Sequence, residues 1–180
     1  MIFKRTLILG ALLASLGVSA QMPVPVLDTD TQAKAAAEAT AQLEALLLCK
    51  KGTTFSAANV ESQFRALGLV KGGDGIYLPA RRDLKIMLMN NEVLAASVGE
   101  PVSYTNMSVY LKGQTGKQLA GKLGVTQIAD WTEPDEDYYF KKTSKKTMLL
   151  VGFPSSITVV LPKGEHQINY SASVRCQLLK

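Results

Sequence analysis

The chain has 180 residues, of which 47% are hydrophobic and 19% are charged, and its formal net charge is +5. This composition is typical of a globular protein and excludes a collagen-like, coiled-coil or low-complexity chain. One histidine and two cysteines are too few soft ligands for a zinc finger or an iron–sulfur cluster.

The N-terminus has the pattern of a cleaved signal peptide. Two basic residues precede an apolar stretch (7–18), and a Val-Ser-Ala sequence ending at Ala20 supplies the small residues that signal peptidase reads. The apolar stretch is shorter than the about 20 residues of a membrane span, and an uncleaved anchor is the alternative. We therefore expect cleavage of residues 1–20 and an extended leader over 21–30. The mature chain would be periplasmic or secreted, with no stable membrane span.

Three segments have the composition and spacing of amphipathic helices. Ala, Leu, Gln and Glu dominate the stretch 32–48, where apolar residues recur at three- and four-residue intervals. Shorter helices are predicted over 57–67, between a serine cap and a glycine stop, and over 115–123, which a glycine also ends. Each segment has one apolar face, so each helix should pack on a sheet.

From residue 72 onward, strand-like runs alternate with turns. The predicted strands lie at 76–78, 84–88, 93–95, 102–111, 125–131, 138–142, 148–153, 157–161 and 167–178. The short turns between the later strands are typical of an antiparallel meander. The sequence thus predicts a single α+β domain over 31–180, in which two or three helices pack on one face of an antiparallel sheet of about six to eight strands.

The two cysteines, Cys49 and Cys176, lie near the two ends of this predicted domain. In an oxidising compartment an even pair predicts a disulfide, here joining the first helix to the last strand. Closing so long a loop stabilises a chain by roughly 4–5 kcal/mol at most. The alternative, a catalytic cysteine served by His166, would leave the second cysteine without a role.

Catalytic and cofactor-binding motifs do not occur in the sequence. His166 is the sole imidazole and lies beside a turn, where an exposed polar residue is ordinary. The glycine-rich stretch 72–75 lacks the spacing of a phosphate-binding loop. The acidic turn 133–137 lacks the spacing of a calcium loop and is interpreted as a solvated turn. We predict no catalytic residue, no metal site and no cofactor, and a carboxylate-dependent hydrolase is the enzymatic alternative.

Aromatic and basic residues adjoin one another in the segment 131–146. Its four lysines are Lys141, Lys142, Lys145 and Lys146. Aromatic anchors beside charges are typical of protein-recognition surfaces, and the alternative is that the rings fill the core. Strand alternation places Tyr139 on the face opposite Tyr138 and Phe140. We therefore select Trp131, Tyr139 and the four lysines as candidate partner-binding residues.

These observations predict an exported, periplasmic, non-enzymatic binding protein, for example an inhibitor or immunity factor for an envelope-acting enzyme. Its partner would be another envelope or periplasmic protein. Basic residues come mostly in short pairs rather than in one dense patch, so nucleic acid is not predicted as a partner. The alternative function, which the same features permit, is an accessory or structural component of a cell-envelope assembly.

Overall fold

The computed structural model describes residues 29–50, 55–128 and 138–180. The described part of the chain holds three helices, α1 (Thr29–Leu47), α2 (Ala57–Ala66) and α3 (Gly116–Leu123). It also holds eleven strands: β1 (Leu69–Lys71), β2 (Ile76–Pro79), β3 (Met87–Leu88), β4 (Asn91–Gly99), β5 (Tyr104–Lys112), β6 (Gln127–Ile128), β7 (Tyr138–Lys142), β8 (Thr147–Gly152), β9 (Ser155–Leu161), β10 (Gly164–Tyr170) and β11 (Ala172–Leu179). The predicted signal peptide, residues 1–20, lies outside the described residues, as does the leader up to residue 28.

Nine of these strands form one antiparallel sheet in the order β1-β2-β4-β5-β11-β8-β7-β6, with β3 pairing with β4. Strands β9 and β10 form a separate two-stranded hairpin. The predicted α+β fold, with helices packed on an antiparallel sheet, is confirmed. The strand order is not the expected meander, because β11 lies between β5 and β8 in the middle of the sheet.

The main core lies between the helices and one face of the large sheet. Leu43 and Leu47 of α1 and Val60 and Phe64 of α2 have no exposed surface, as their helical spacing predicts. Leu119 of α3 is buried in the same core. The opposite face carries a smaller apolar cluster around Tyr138 and Leu150.

Helix α3 is held tightly at both ends. Thr115 and Gln118 form a reciprocal capping box at its start, and Gly124 adopts the left-handed conformation that ends it. Gly116 lies so close to β8 that a Cβ atom there would collide with the carbonyl oxygen of Gly152. The position of α3 over β8 therefore depends on a glycine in its first turn.

The predicted disulfide between Cys49 and Cys176 is confirmed. The two Cα atoms are 5.4 Å apart, and the residues are separated by 127 positions in the sequence. Both side chains are fully buried. The bridge joins the residue that follows α1 to the middle of β11, so it ties the helical layer to the central strand.

The region before β4 differs from expectation. Only Met87–Leu88 of the predicted strand 84–88 is extended, although Leu88 is buried as the alternation requires. The turn that leads into β4 is made by Met89 and Asn90, which both have positive φ. Asn91 begins β4, where its buried side chain accepts a hydrogen bond from the Gln114 N–H and donates one to the Met89 carbonyl.

The predicted strand 167–178 is two strands, β10 and β11, separated by Ser171. The Ser171 N–H donates to the carbonyl of Leu111 at 2.8 Å, and its carbonyl accepts from the N–H of Gly116 at 3.1 Å. These contacts bind Ser171 to β5 and α3. The chain before it leaves the large sheet and pairs with β9 over all seven residues of β10.

Candidate binding surface

The four candidate lysines all lie at one end of the β7–β8 hairpin. Strand β7 pairs with β8 along its whole length, from Tyr138 opposite Gly152 to Lys142 opposite Met148. Lys141 and Lys142 end β7, and Lys145 and Lys146 belong to the turn 143–146. We call this turn and the last two residues of β7 the basic turn, residues 141–146.

Hydroxyl side chains hold the basic turn in one conformation. The hydroxyl of Thr147 lies 2.7 Å from those of both Thr143 and Ser144. The Ser144 hydroxyl also accepts hydrogen bonds from the N–H groups of Lys146 and Thr147, at 3.1 Å each. Because these bonds are short-range and numerous, the lysines project from a rigid rather than a loose turn.

The lysines themselves are exposed. The ion pairs found among the described residues are Glu61 with Arg65, Glu61 with Lys71, and Arg81 with Asp83, so none involves the basic turn. Four ammonium groups within six residues make a local positive field, which attracts and orients acidic groups on a binding partner.

A shallow cleft adjoins the basic turn where β6 separates from β7. Its volume is about 510 Å³, and its lining residues are Gly124, Thr126, Gln127, Phe140, Lys141 and Lys142. The pairing of β6 with β7 stops at Gln127 opposite Phe140, so Lys141 and Lys142 have no described strand beside them on this edge. The lining of the cleft combines two lysines and the polar residues Thr126 and Gln127 with the apolar ring of Phe140.

The aromatic residues of β7 alternate between faces as predicted. Tyr138 is buried in the small apolar cluster, where the guanidinium carbon of Arg175 lies 5.2 Å from the centre of its ring. Tyr139 points to the helical side, is half-buried against the main core and stacks on Phe153 with 4.9 Å between ring centres. The Tyr139 ring is therefore a supporting contact with one exposed part rather than a freely presented anchor.

The remaining features that the sequence indicates are Trp131, the acidic turn 133–137 and His166. Trp131 and the acidic turn 133–137 fall outside the described residues. His166 is exposed on β10, opposite Val159 of β9. Within the described ranges, no three His, Cys, Asp or Glu side chains come together in a group that could hold a metal ion.

One buried titratable group has no counterpart in the sequence analysis. The ring of Tyr77 packs against Phe64, and its hydroxyl oxygen is buried without a hydrogen bond of standard geometry. Burial, with the neighbouring Glu61 carboxylate, raises the pKa of Tyr77 to about 12. Because Tyr77 lies on β2, far along the sheet from β7, it belongs to the packing of α2 rather than to the basic turn.

No protein-family model matches the chain, and no curated protein or solved structure is significantly similar to it. Among the described helices, none is both long and apolar enough to cross a membrane.

Proposed function

We propose that the protein is a non-enzymatic binding protein of the periplasm or the extracellular space, and that its basic turn contacts an acidic surface of another envelope protein. The observation that carries the proposal is the rigid presentation of Lys141, Lys142, Lys145 and Lys146 without an ion-pair partner among the described residues. A turn that is already ordered loses little conformational entropy when it binds.

The buried disulfide supports the periplasm or the extracellular space as the compartment. Disulfides persist in oxidising environments and are rare in the cytosol. The pattern of a signal peptide at residues 1–20 agrees with this. An inhibitor or immunity factor for an envelope-acting enzyme fits these properties, because such a protein acts by contact alone.

An accessory role in a cell-envelope assembly is the second candidate. The observation that favours it is strand β10, which is seven residues long and pairs with β9 alone among the described strands. Such an edge can pair with a strand of another chain. An assembly component would use this edge and the basic turn together, whereas an inhibitor needs one surface only.

The proposal is tested by reversing charge on the basic turn. The variant Lys142→Glu, Lys145→Glu, Lys146→Glu spares Lys141, whose Nζ lies beside Gly124 at the end of α3. The matched control is Arg82→Glu, Lys85→Glu, Lys163→Glu. It has the same change in charge at exposed positions outside β7 and β8.

Each form is used to capture partners from an envelope extract, and the captured protein is then purified for kinetic measurements. We expect the basic-turn variant to lower the association rate about tenfold or more at low salt and to weaken its salt dependence, while the control binds normally. Equal association rates for the basic-turn variant and the unmodified protein would place the contact elsewhere.

A further inference from the structure

Strand β10 has no strand beside its second edge among the described residues. The two edge strands of the large sheet are short: β1 has three residues, and β6 has two. Short edge strands and lysines are the usual protections against unwanted pairing. Strand β10 has neither protection, because it is seven residues long and its only charged residue is Glu165, apart from the exposed His166.

The two edges of the β9–β10 hairpin are not equivalent. The turn at Gly73–Gly75 lies against β9, where a Cβ atom on Gly73 would collide with the carbonyl oxygen of Val160. The edge of β9 is thus covered at Val160. Along β10, the residues from Gly164 to Gln167 and Asn169 are exposed, and no backbone hydrogen bond to a described residue other than those of β9 is found for them.

The contact at Val160 also identifies the backbone groups that face outward on β10. The carbonyl oxygen of Val160 lies next to Gly73. A carbonyl directed at β10 would be enclosed between the two strands and could not reach Gly73. The Val160 carbonyl therefore points away from β10. In an antiparallel pair, residues opposite each other then both direct their backbone groups outward or both inward. Val160 is opposite Glu165, so Glu165, Gln167 and Asn169 present their N–H and C=O groups at the open edge.

We propose that this edge pairs with the same strand of a second copy of the chain, antiparallel and centred on Gln167. In this register Gln167 is opposite its own counterpart, and Glu165 is opposite Asn169 of the second copy. Each of these pairs exchanges two backbone hydrogen bonds. The product is a four-stranded sheet with β9 on its two outer edges.

The side chains of β10 are compatible with their own antiparallel image. The carboxylate of Glu165 faces a neutral amide that can donate to it, and no two like charges are opposite each other. This self-complementarity is the reason for choosing a second copy over an unrelated strand.

Two paired seven-residue strands bury less than the ~1,600 Å² of a standard interface. The dimer is therefore expected to be weak, and sedimentation must be followed over a concentration series up to the near-millimolar range. The full chain, with its disulfide intact, should sediment as a monomer at low concentration and shift toward a dimer at high concentration.

Substitution at the symmetry axis tests the register. Gln167→Glu alone and Gln167→Lys alone each place like charges opposite each other, so each variant should lose the shift. Their equimolar mixture should recover it as a heterodimer. The matched control is Thr158→Glu, which adds the same charge to the exposed residue opposite Gln167 on β9, away from the open edge.

Three results would overturn the inference: a monomer at every concentration, dimerisation of both Gln167 variants alone, or a mixture that stays monomeric. None of these results bears on the basic turn, which lies on another hairpin. A monomer that still binds a partner through Lys142, Lys145 and Lys146 would leave the proposed function intact.

Discussion

The backbone N–H of Leu179 donates a 2.7 Å hydrogen bond to the carbonyl oxygen of Lys146. Leu179 ends β11, whose middle residue Cys176 is cross-linked to the end of α1. The basic turn is thus fastened to the central strand of the sheet and not only to its own hairpin. This connection makes the presentation of the lysines dependent on the integrity of the whole domain.

The first prediction concerns the hydroxyl network of the turn. Ser144→Ala removes an acceptor used by two N–H groups and the contact with the Thr147 hydroxyl. We expect the free energy of unfolding to fall by about 1–2 kcal/mol and the amides of Lys146 and Thr147 to exchange faster. Denaturant unfolding and hydrogen exchange measure the two effects. Ser103→Ala, at an exposed turn residue whose side chain makes no hydrogen bond with a described residue, is the control and should change neither.

The second prediction concerns the disulfide. The double variant Cys49→Ser, Cys176→Ser should lose a large part of its stability, up to the roughly 4–5 kcal/mol of the chain-entropy limit, because the loop it opens spans 127 positions. Thermal unfolding of the unmodified protein with reductant should approach that of the variant. A melting temperature that reductant and substitution leave unchanged would contradict a structural role for the bridge.

The third prediction uses two glycines of α3 as a matched pair. Gly116→Ala forces a methyl group against the Gly152 carbonyl and should destabilise the domain by about 1–3 kcal/mol. Gly121→Ala meets no atom within 4 Å on the exposed side of the same helix and should stabilise it by about 0.5–1 kcal/mol. The denaturant midpoints of the two variants measure these changes in stability. If both substitutions stabilised the domain, or both destabilised it, α3 would not pack against β8 through Gly116.

The fourth prediction concerns the pH dependence of stability. The pKa of Tyr77 is raised to about 12 in the folded protein. The stability that this group contributes is therefore fully present at pH values below the ordinary pKa of tyrosine. Stability should therefore decline as pH rises from about 10 toward 12, since the unfolded chain ionises first. Tyr77→Phe should remove this contribution to the decline. A spectrophotometric titration should reveal a tyrosine that ionises near pH 12 and is lost in Tyr77→Phe, and its absence from the native protein would contradict the assignment.

Tyr77→Phe serves a further purpose at neutral pH. The hydroxyl is buried without a standard hydrogen bond, so its removal should leave stability unchanged or raise it slightly. Tyr77→Ala would instead remove the ring that packs on Phe64 and should cost about 3–5 kcal/mol. Equal losses for the two variants would mean that the hydroxyl has a partner that stabilises it.

Local patterns predicted the helices well because each helix depends on neighbours three and four residues away. The cap at Ser56 and the stop at Gly124 lie where the sequence indicates them. The oxidised pair Cys49–Cys176 was also predictable, since two cysteines allow only one connectivity. The amino-acid sequence alone thus determined the fold class, the cross-link and the density of charge in the basic turn.

The tertiary structure decided which strands are neighbours and which aromatic surfaces remain exposed. No local signal distinguishes a continuous strand 167–178 from two strands broken at Ser171, because the break depends on the hydrogen bonds that Ser171 makes with Leu111 and Gly116. Likewise, strand alternation predicts that Tyr138 and Tyr139 lie on opposite faces. It does not predict that Phe153 stacks on Tyr139 or that Arg175 lies over Tyr138. Backbone conformation and charge follow from adjacent residues, whereas strand order and burial depend on contacts between residues distant in the chain, which only the folded chain specifies.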